Sequence, residues 1–209
     1  MDNGEICKMQ YLESNVLEEA KMNDNIIREI CFKDCNENNL EFKKLEVSNV
    51  KFVNCKCISS KFAEGYFTKV IFKDCDFSNT DFSESSFVEV QFINCKFIGC
   101  NFENTSIFKT IIDETNLEYS NFSDSIIKES KINNTNLSCS SLDECKIKNT
   151  KFENTNLCKA QLFRTNLKNI DFSTCDIMGI VINIQDLKGM IVNDFQAIEL
   201  SKLLGIIIK

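Results

Sequence analysis

Histidine, tryptophan and proline are absent from this 209-residue chain, and only six glycines occur. The lack of histidine removes the commonest general base and the commonest metal ligand, so a catalytic metal site, a cofactor and an enzymatic role are all unexpected. With no proline and no glycine- or serine-rich stretch, no segment reads as a linker between domains. The opening residues MDNGEICKMQYLES have neither the basic start nor the apolar core of a secretion signal, and no apolar run approaches the ~20 residues that cross a bilayer. The expectation is a cytoplasmic protein with no membrane association. Positive charge is in deficit, with 24 Lys and Arg against 31 Asp and Glu and a formal net charge of -7. That balance argues against direct nucleic acid binding, while leaving room for a protein that competes with nucleic acid for a basic partner. Twelve cysteines in a chain of this length, without an export signal, do not read as a disulfide scaffold.

What the chain has instead is a five-residue period. Phenylalanine stands at every fifth position from Phe62 to Phe102, and stepping by five from Leu12 to Val192 meets an apolar residue everywhere except Glu37. Five is neither the helical nor the strand period, so a repeat architecture is indicated. Two residues before these centres stand small side chains such as Cys75, Thr80, Ser85, Cys95, Cys100, Thr105 and Thr165. A bulky position and a small one alternating at fixed spacing imply two inward sites of different depth. The other three positions are mostly polar and read as surface.

Cys35, Cys55, Cys75 and Cys95 fall 20 residues apart, and small apolar packing is their expected role. Glu37 at a centre, with Leu40 and Leu45 at small positions, suggests a distorted coil or bulge between Asn36 and Leu45, and Gly65 to Val70 is a second candidate irregularity. After Val192 the period changes. Asn193 and Gln196 form a capping-box pair, Phe195, Ile198, Leu203 and Leu204 give an approximately helical apolar face, and Gly205 supplies a stop. Two units follow: repeats over residues 1–192, and a capping helix with an apolar tail over 193–209. The helix covers an open end, and its outer face with the tail, through Phe195, Ile198, Leu203, Leu204, Ile206 and Ile208, is expected to pair with a second subunit.

Segments such as CDFSN, TDFSE, CNFEN, TNLEY and TNLSC resemble the pentapeptide-repeat family, whose consensus is A(D/N)LXX. The resemblance implies an all-β fold, a right-handed quadrilateral β-helix of about nine coils, at ~4.8 Å per coil, closed by a short C-terminal α-helix. The ending DLKGMIVNDFQAIELSKLLGIIIK is similar to that of the Qnr subgroup. This narrower resemblance implies a homodimer joined through the C-termini. It also implies partners in DNA gyrase and topoisomerase IV, protection of these enzymes from fluoroquinolones, and mimicry of duplex DNA by acidic residues. Plasmid-type Qnr proteins carry two projecting loops, and the unbroken register here leaves no room for them.

Assigning outward residues to four faces tests the mimicry. The face centred on Phe62, Phe82, Phe102, Phe122 and Leu142 carries Glu64, Asp81, Glu84, Glu103, Asp124, Asp143 and Glu144, opposed by Lys61. The face centred on Phe67, Phe87, Ile107, Ile127, Ile147, Leu167 and Leu187 carries Lys69, Lys109, Lys128, Lys146, Lys148, Lys168 and Lys188. The acids are the candidate partner-binding residues. The competing expectation, from another class, is a scaffolding β-helix that binds some other protein.

Overall fold

The computed structural model describes residues 10–12 and 25–207. The five-residue unit builds a parallel β-solenoid in which each residue meets its partner 20 positions further on. Four columns of pairing run along it. Two are sheets of short strands. The first contains β1 (Gln10–Leu12), β3 (Ile30–Lys33), β5 (Lys51–Val53), β7 (Ile71–Lys73), β9 (Gln91–Ile93), β11 (Ile111–Asp113), β13 (Lys131–Asn133) and β15 (Lys151–Glu153). The second contains β2 (Ile26–Arg28), β4 (Glu46–Ser48), β6 (Tyr66–Thr68), β8 (Ser86–Val88), β10 (Ser106–Phe108), β12 (Ile126–Lys128) and β14 (Lys146–Lys148). The other two columns are held by single bridges, such as Asp76 to Lys96 and Asp81 to Asn101. The strand-paired part from Ile26 to Glu153 makes about six turns, fewer than the nine coils expected, because the last coils are joined by isolated bridges. No loop projects from this stretch.

The corner of each unit explains the period. From Ile27 to Leu167 the second residue after each centre lies in the left-handed region, as at Asn54 (φ 53°), Glu84 (φ 58°) and Lys109 (φ 52°). That conformation is unfavourable for residues with a Cβ. It is held here because it turns the residue's N–H onto the next coil: Glu84 N donates to Glu103 O at 2.9 Å and Asn54 N to Lys73 O at 3.0 Å.

The centres fill the interior. Phe52, Phe72 and Phe92 stack at centroid distances of 5.0 and 5.1 Å, Phe67 and Phe87 at 4.9 Å, and Phe102 and Phe122 at 4.8 Å. Between columns the rings meet edge to face, as in Phe92 and Phe97 at 4.9 Å and 87°. Both arrangements suit the ring quadrupole.

The small positions do more than pack. Ser85 Oγ donates to Phe62 O at 3.1 Å and accepts from Gly65 N at 2.9 Å, and Thr165 Oγ1 bridges Leu142 O and Cys145 N in the same way. Each hydroxyl ties two coils together and satisfies buried backbone groups. The cysteines share this duty, which corrects the expectation of purely apolar packing: Cys75 Sγ donates to Phe52 O at 3.3 Å and accepts from Cys55 N at 3.4 Å. Burial pushes the Cys100 and Cys145 thiols up to about 12.

Neither expected irregularity is present. Between Asn36 and Leu45 the bridges Asn36 to Lys56 and Glu41 to Lys61 keep register, and Leu40 and Leu45 are accommodated inside. Gly65 to Val70 contains the regular strand β6. A Cβ on Gly65 would stand 2.7 Å from the Phe67 ring and 2.9 Å from Phe62 O, so glycine there is a packing requirement.

Candidate partner-binding face

The acids named above all lie on the bridge-paired face centred on Phe62 to Leu142, but they are not equivalent. Asp81 accepts from Asn101 Nδ2 at 3.1 Å and from Ser83 N at 3.0 Å, so it belongs to a side-chain ladder along the solenoid. Asp143 accepts from Phe163 N at 2.7 Å. Glu64 lies 3.2 Å from Lys43 Nζ and 3.4 Å from Lys44 Nζ, and these ammonium groups hold its carboxyl below the usual range. Glu144 pairs with Arg164 at 2.6 Å, and Lys61 pairs with Glu41 at 3.1 Å.

That leaves Glu84, Glu103 and Asp124, which are exposed and make no ion pair among the described residues. They occupy successive coils, one free carboxylate per ~4.8 Å, about a third of the density of duplex DNA at one charge per ~1.7 Å. Sequence reasoning missed the countercharges Lys44 and Arg164. The 20-residue register contains them, since each stands one coil from the glutamate it neutralises.

The lysines Lys69, Lys109, Lys128, Lys146, Lys148, Lys168 and Lys188 are exposed on the adjacent face formed by the second sheet and its continuation. Glu89 and Glu129 are interspersed among them, and Lys109 Nζ stands 5.1 Å from the Phe108 ring centroid. Among the described residues no group of His, Cys, Asp or Glu is arranged to hold a metal ion. No helix there is long and apolar enough to cross a membrane.

At the C-terminal end, helix α1 (Asp194–Ser201) begins with the expected capping box: Gln196 N donates to Asn193 Oδ1 at 3.0 Å, and Asn193 N donates to Gln196 Oε1 at 2.9 Å. The residue that seats the helix on the last coil is Gln196, the only one it buries. Its Nε2 donates to Phe172 O at 2.9 Å and to Cys175 O at 2.7 Å, capping carbonyls that no further coil reaches. Leu200 packs half-buried against the core, but the apolar residues expected to pair with a second subunit point outward. Phe195 is 82% exposed, Ile198 46%, Leu204 57% and Ile206 51%. Leu203 and Leu204 belong to a following 3-10 turn rather than to the α-helix, and Gly205 ends it at φ 73°. Ile208 lies outside the described residues.

Two family models match this sequence: a pentapeptide repeat region over residues 65–142, and pentapeptide repeats in eight copies over residues 140–177. Together they span more than half of the chain. No curated protein sequence matches it. Among solved structures, trypsin-treated QnrB1, a plasmid-mediated fluoroquinolone resistance protein, matches at 21% identity with a TM-score of 0.58, over 96% of this chain and 98% of that one. Full-length QnrB1 matches at 17% identity with a TM-score of 0.58, over 95% and 100%. HetL, a pentapeptide repeat protein involved in heterocyst differentiation regulation in the cyanobacterium Nostoc, matches at 13% identity with a TM-score of 0.39, over 86% and 96%. The likeness to QnrB1 establishes a shared fold.

Proposed function

We propose, from the premise that this chain belongs to the pentapeptide-repeat family, that it is a DNA-mimicking binding protein of the type II topoisomerases DNA gyrase and topoisomerase IV, and that it protects them from fluoroquinolones. The observation that carries this reading is the row of free, exposed carboxylates Glu84, Glu103 and Asp124, one per coil on a face whose backbone is bonded from coil to coil. The fold shared with QnrB1, a fluoroquinolone resistance protein, supports it. Such a row presents carboxylates to a basic DNA channel at fixed spacing, with little conformational entropy to lose on docking.

The test is a gyrase supercoiling assay with and without ciprofloxacin, titrating the protein. Supercoiling should recover in the presence of drug, and excess protein alone should slow the enzyme by competing with DNA. No effect in either arm refutes the reading.

The working unit is a homodimer joined through its C-terminal ends. Phe195, Ile198, Leu203, Leu204 and Ile206 are exposed apolar residues at that end. Sedimentation analysis should give a dimer that Phe195→Arg converts to a monomer. A monomeric parent protein would rule this assembly out.

The neighbours already engaging Glu64, Asp81, Asp143 and Glu144 favour a second reading, a scaffolding β-helix for another protein. Unchanged gyrase affinity after reversal of Glu84 and Glu103, with the fold intact, would select it.

A further inference from the structure

The bonded wall of the solenoid is interrupted at one corner. From Ile26 through β15 the described coils are bonded to one another on all four faces, but β14 and β15 are the last strands of their sheets. One coil earlier, Lys146 N donates to Ser125 O at 2.9 Å and Lys151 N to Ser130 O at 3.0 Å. Asn166 N and Asp171 N, the equivalent donors of the next coil, make no such bond to Cys145 O or Thr150 O. Asn154 N bonds to the Thr174 side chain at 3.2 Å instead of to a backbone carbonyl. On the two bridge faces the same coils stay joined, with Asp176 N to Thr155 O and Val181 N to Ala160 O both 2.9 Å. The coil is therefore hinged open on one side only.

Two further features mark the opening. A cleft of about 400 Å³ lies at it, lined by Lys151, Phe152, Glu153, Asn169 and Asp171 among others. Ile147 is only half-buried, whereas Phe67, Phe87, Ile107 and Ile127 in the same column are at most 3% exposed.

The opening is ringed by cations. Lys146, Lys148, Lys151 and Lys168 are exposed, and none is in an ion pair among the described residues. Lys128 faces Lys148 in register and Lys131 faces Lys151, an arrangement that destabilises a sheet when nothing neutralises it. The fold does not require lysine there: the column of Lys128 and Lys148 carries Ser48, Thr68 and Val88 in earlier coils. The acids near it include Glu129, Glu153, Asp171 and Asp186; Asp171 is already engaged by Ser173 N at 2.8 Å, and Asp186, beside Lys168, accepts from Arg164 N and Asn183 Nδ2, both at 2.9 Å.

We propose that this opened corner docks an extended acidic peptide segment of a partner protein. The edge offers both donors (Asn166 N, Asp171 N) and acceptors (Cys145 O, Thr150 O), and a peptide backbone satisfies both kinds. The surrounding lysines take carboxylates, and the exposed part of Ile147 takes an apolar side chain. A phosphate backbone would satisfy the lysines and the N–H groups but leave the carbonyls unpaired. The proposal stands apart from the acidic face and from any topoisomerase role.

The test is fluorescence polarisation of a labelled hexaglutamate peptide at low salt. Saturable binding is expected, weakened at least about tenfold in Lys148→Glu/Lys168→Glu and little changed in Lys69→Glu/Lys109→Glu, which alters the same face in distant coils. Hydrogen exchange at the Asn166 and Asp171 amides should slow on binding. Circular dichroism reports the fold, and Lys148→Gln/Lys168→Gln replaces the glutamate variant if that one fails to fold. Absence of saturable binding, equal loss in both lysine pairs, or unchanged exchange at the two amides would each overturn the proposal. So would a short DNA duplex that displaces the peptide more effectively than unlabelled peptide does, because the surface would then be reading phosphate.

Discussion

Reversing Glu84, Glu103 and Asp124 to lysine changes the formal net charge from -7 to -1, two charges for each of three positions. The backbone tolerates this. Glu84 and Asp124 sit at left-handed corners, and Lys44, Lys69, Lys109 and Lys159 occupy equivalent corners with φ between 52° and 58°. A carboxylate about 4 Å from a cationic group in water is worth about 1 kcal/mol, so a reversal costs up to about 2, and three up to about 6. Screening at physiological ionic strength, with a Debye length near 8 Å, reduces this to about 3 kcal/mol, or about a hundredfold in Kd. The matched control reverses Glu89, Glu114 and Glu129, which are exposed corner residues of the strand-paired faces and change net charge by the same amount. Gyrase affinity, read by surface plasmon resonance at two salt concentrations, should fall about a hundredfold for the first triple, severalfold for the control, and less for both at high salt. Equal losses in the two triples would mean that net charge acts rather than a face. No loss in either would remove the acidic row from the interface.

Three other outcomes follow from the packing. Phe97→Ala removes a ring in contact with Phe72, Phe77, Phe82, Phe92 and Phe102 and should destabilise the protein by about 3–5 kcal/mol in urea titration. A loss below about 1.5 would mean that the column collapses around the gap. Gln196→Leu strands Cys175 O and leaves Phe172 O with only its bond from Cys175 N, and should cost about 1–3 kcal/mol, with faster hydrogen exchange in α1 before the coils are affected; unaltered α1 exchange would refute its seating role. The Cys100 and Cys145 thiols, pushed up to about 12, are protonated when folded but ionise near pH 8.5 when unfolded. Their contribution is complete below pH 8.5 and declines as pH rises towards 12, by about 1.4 kcal/mol per pH unit for each thiol. Thermal stability of Cys100→Ala should therefore fall less steeply above pH 9 than that of the parent, and parallel curves would contradict this.

The fold was legible because the repeat is local and nearly invariant. Stepping by five, four units to a coil, places Phe52 above Phe72. The two expected irregularities failed for a related reason. Leu40, Leu45 and Gly65 look exceptional one unit at a time, but both leucines are buried in the interior and Gly65 leaves the space that the Phe67 ring and Phe62 O occupy. Hydrogen-bonding thiols were not legible either, because a cysteine in a run of serines and threonines reads as small before it reads as a donor.

The sequence by itself determined the period, the inward residues, the faces on which charge is carried and the capping box at Asn193, since all of these follow from spacing along one chain. Tertiary structure decided which charges are free. Neutralisation depends on side-chain reach between coils, so Glu84, Glu103 and Asp124 are separated from acids that look identical in the repeat. It also decided where the wall opens. Asn166 and Asp171 keep the five-residue register perfectly, and only the relative position of two coils shows that their N–H groups have lost the partners that the register assigns to them.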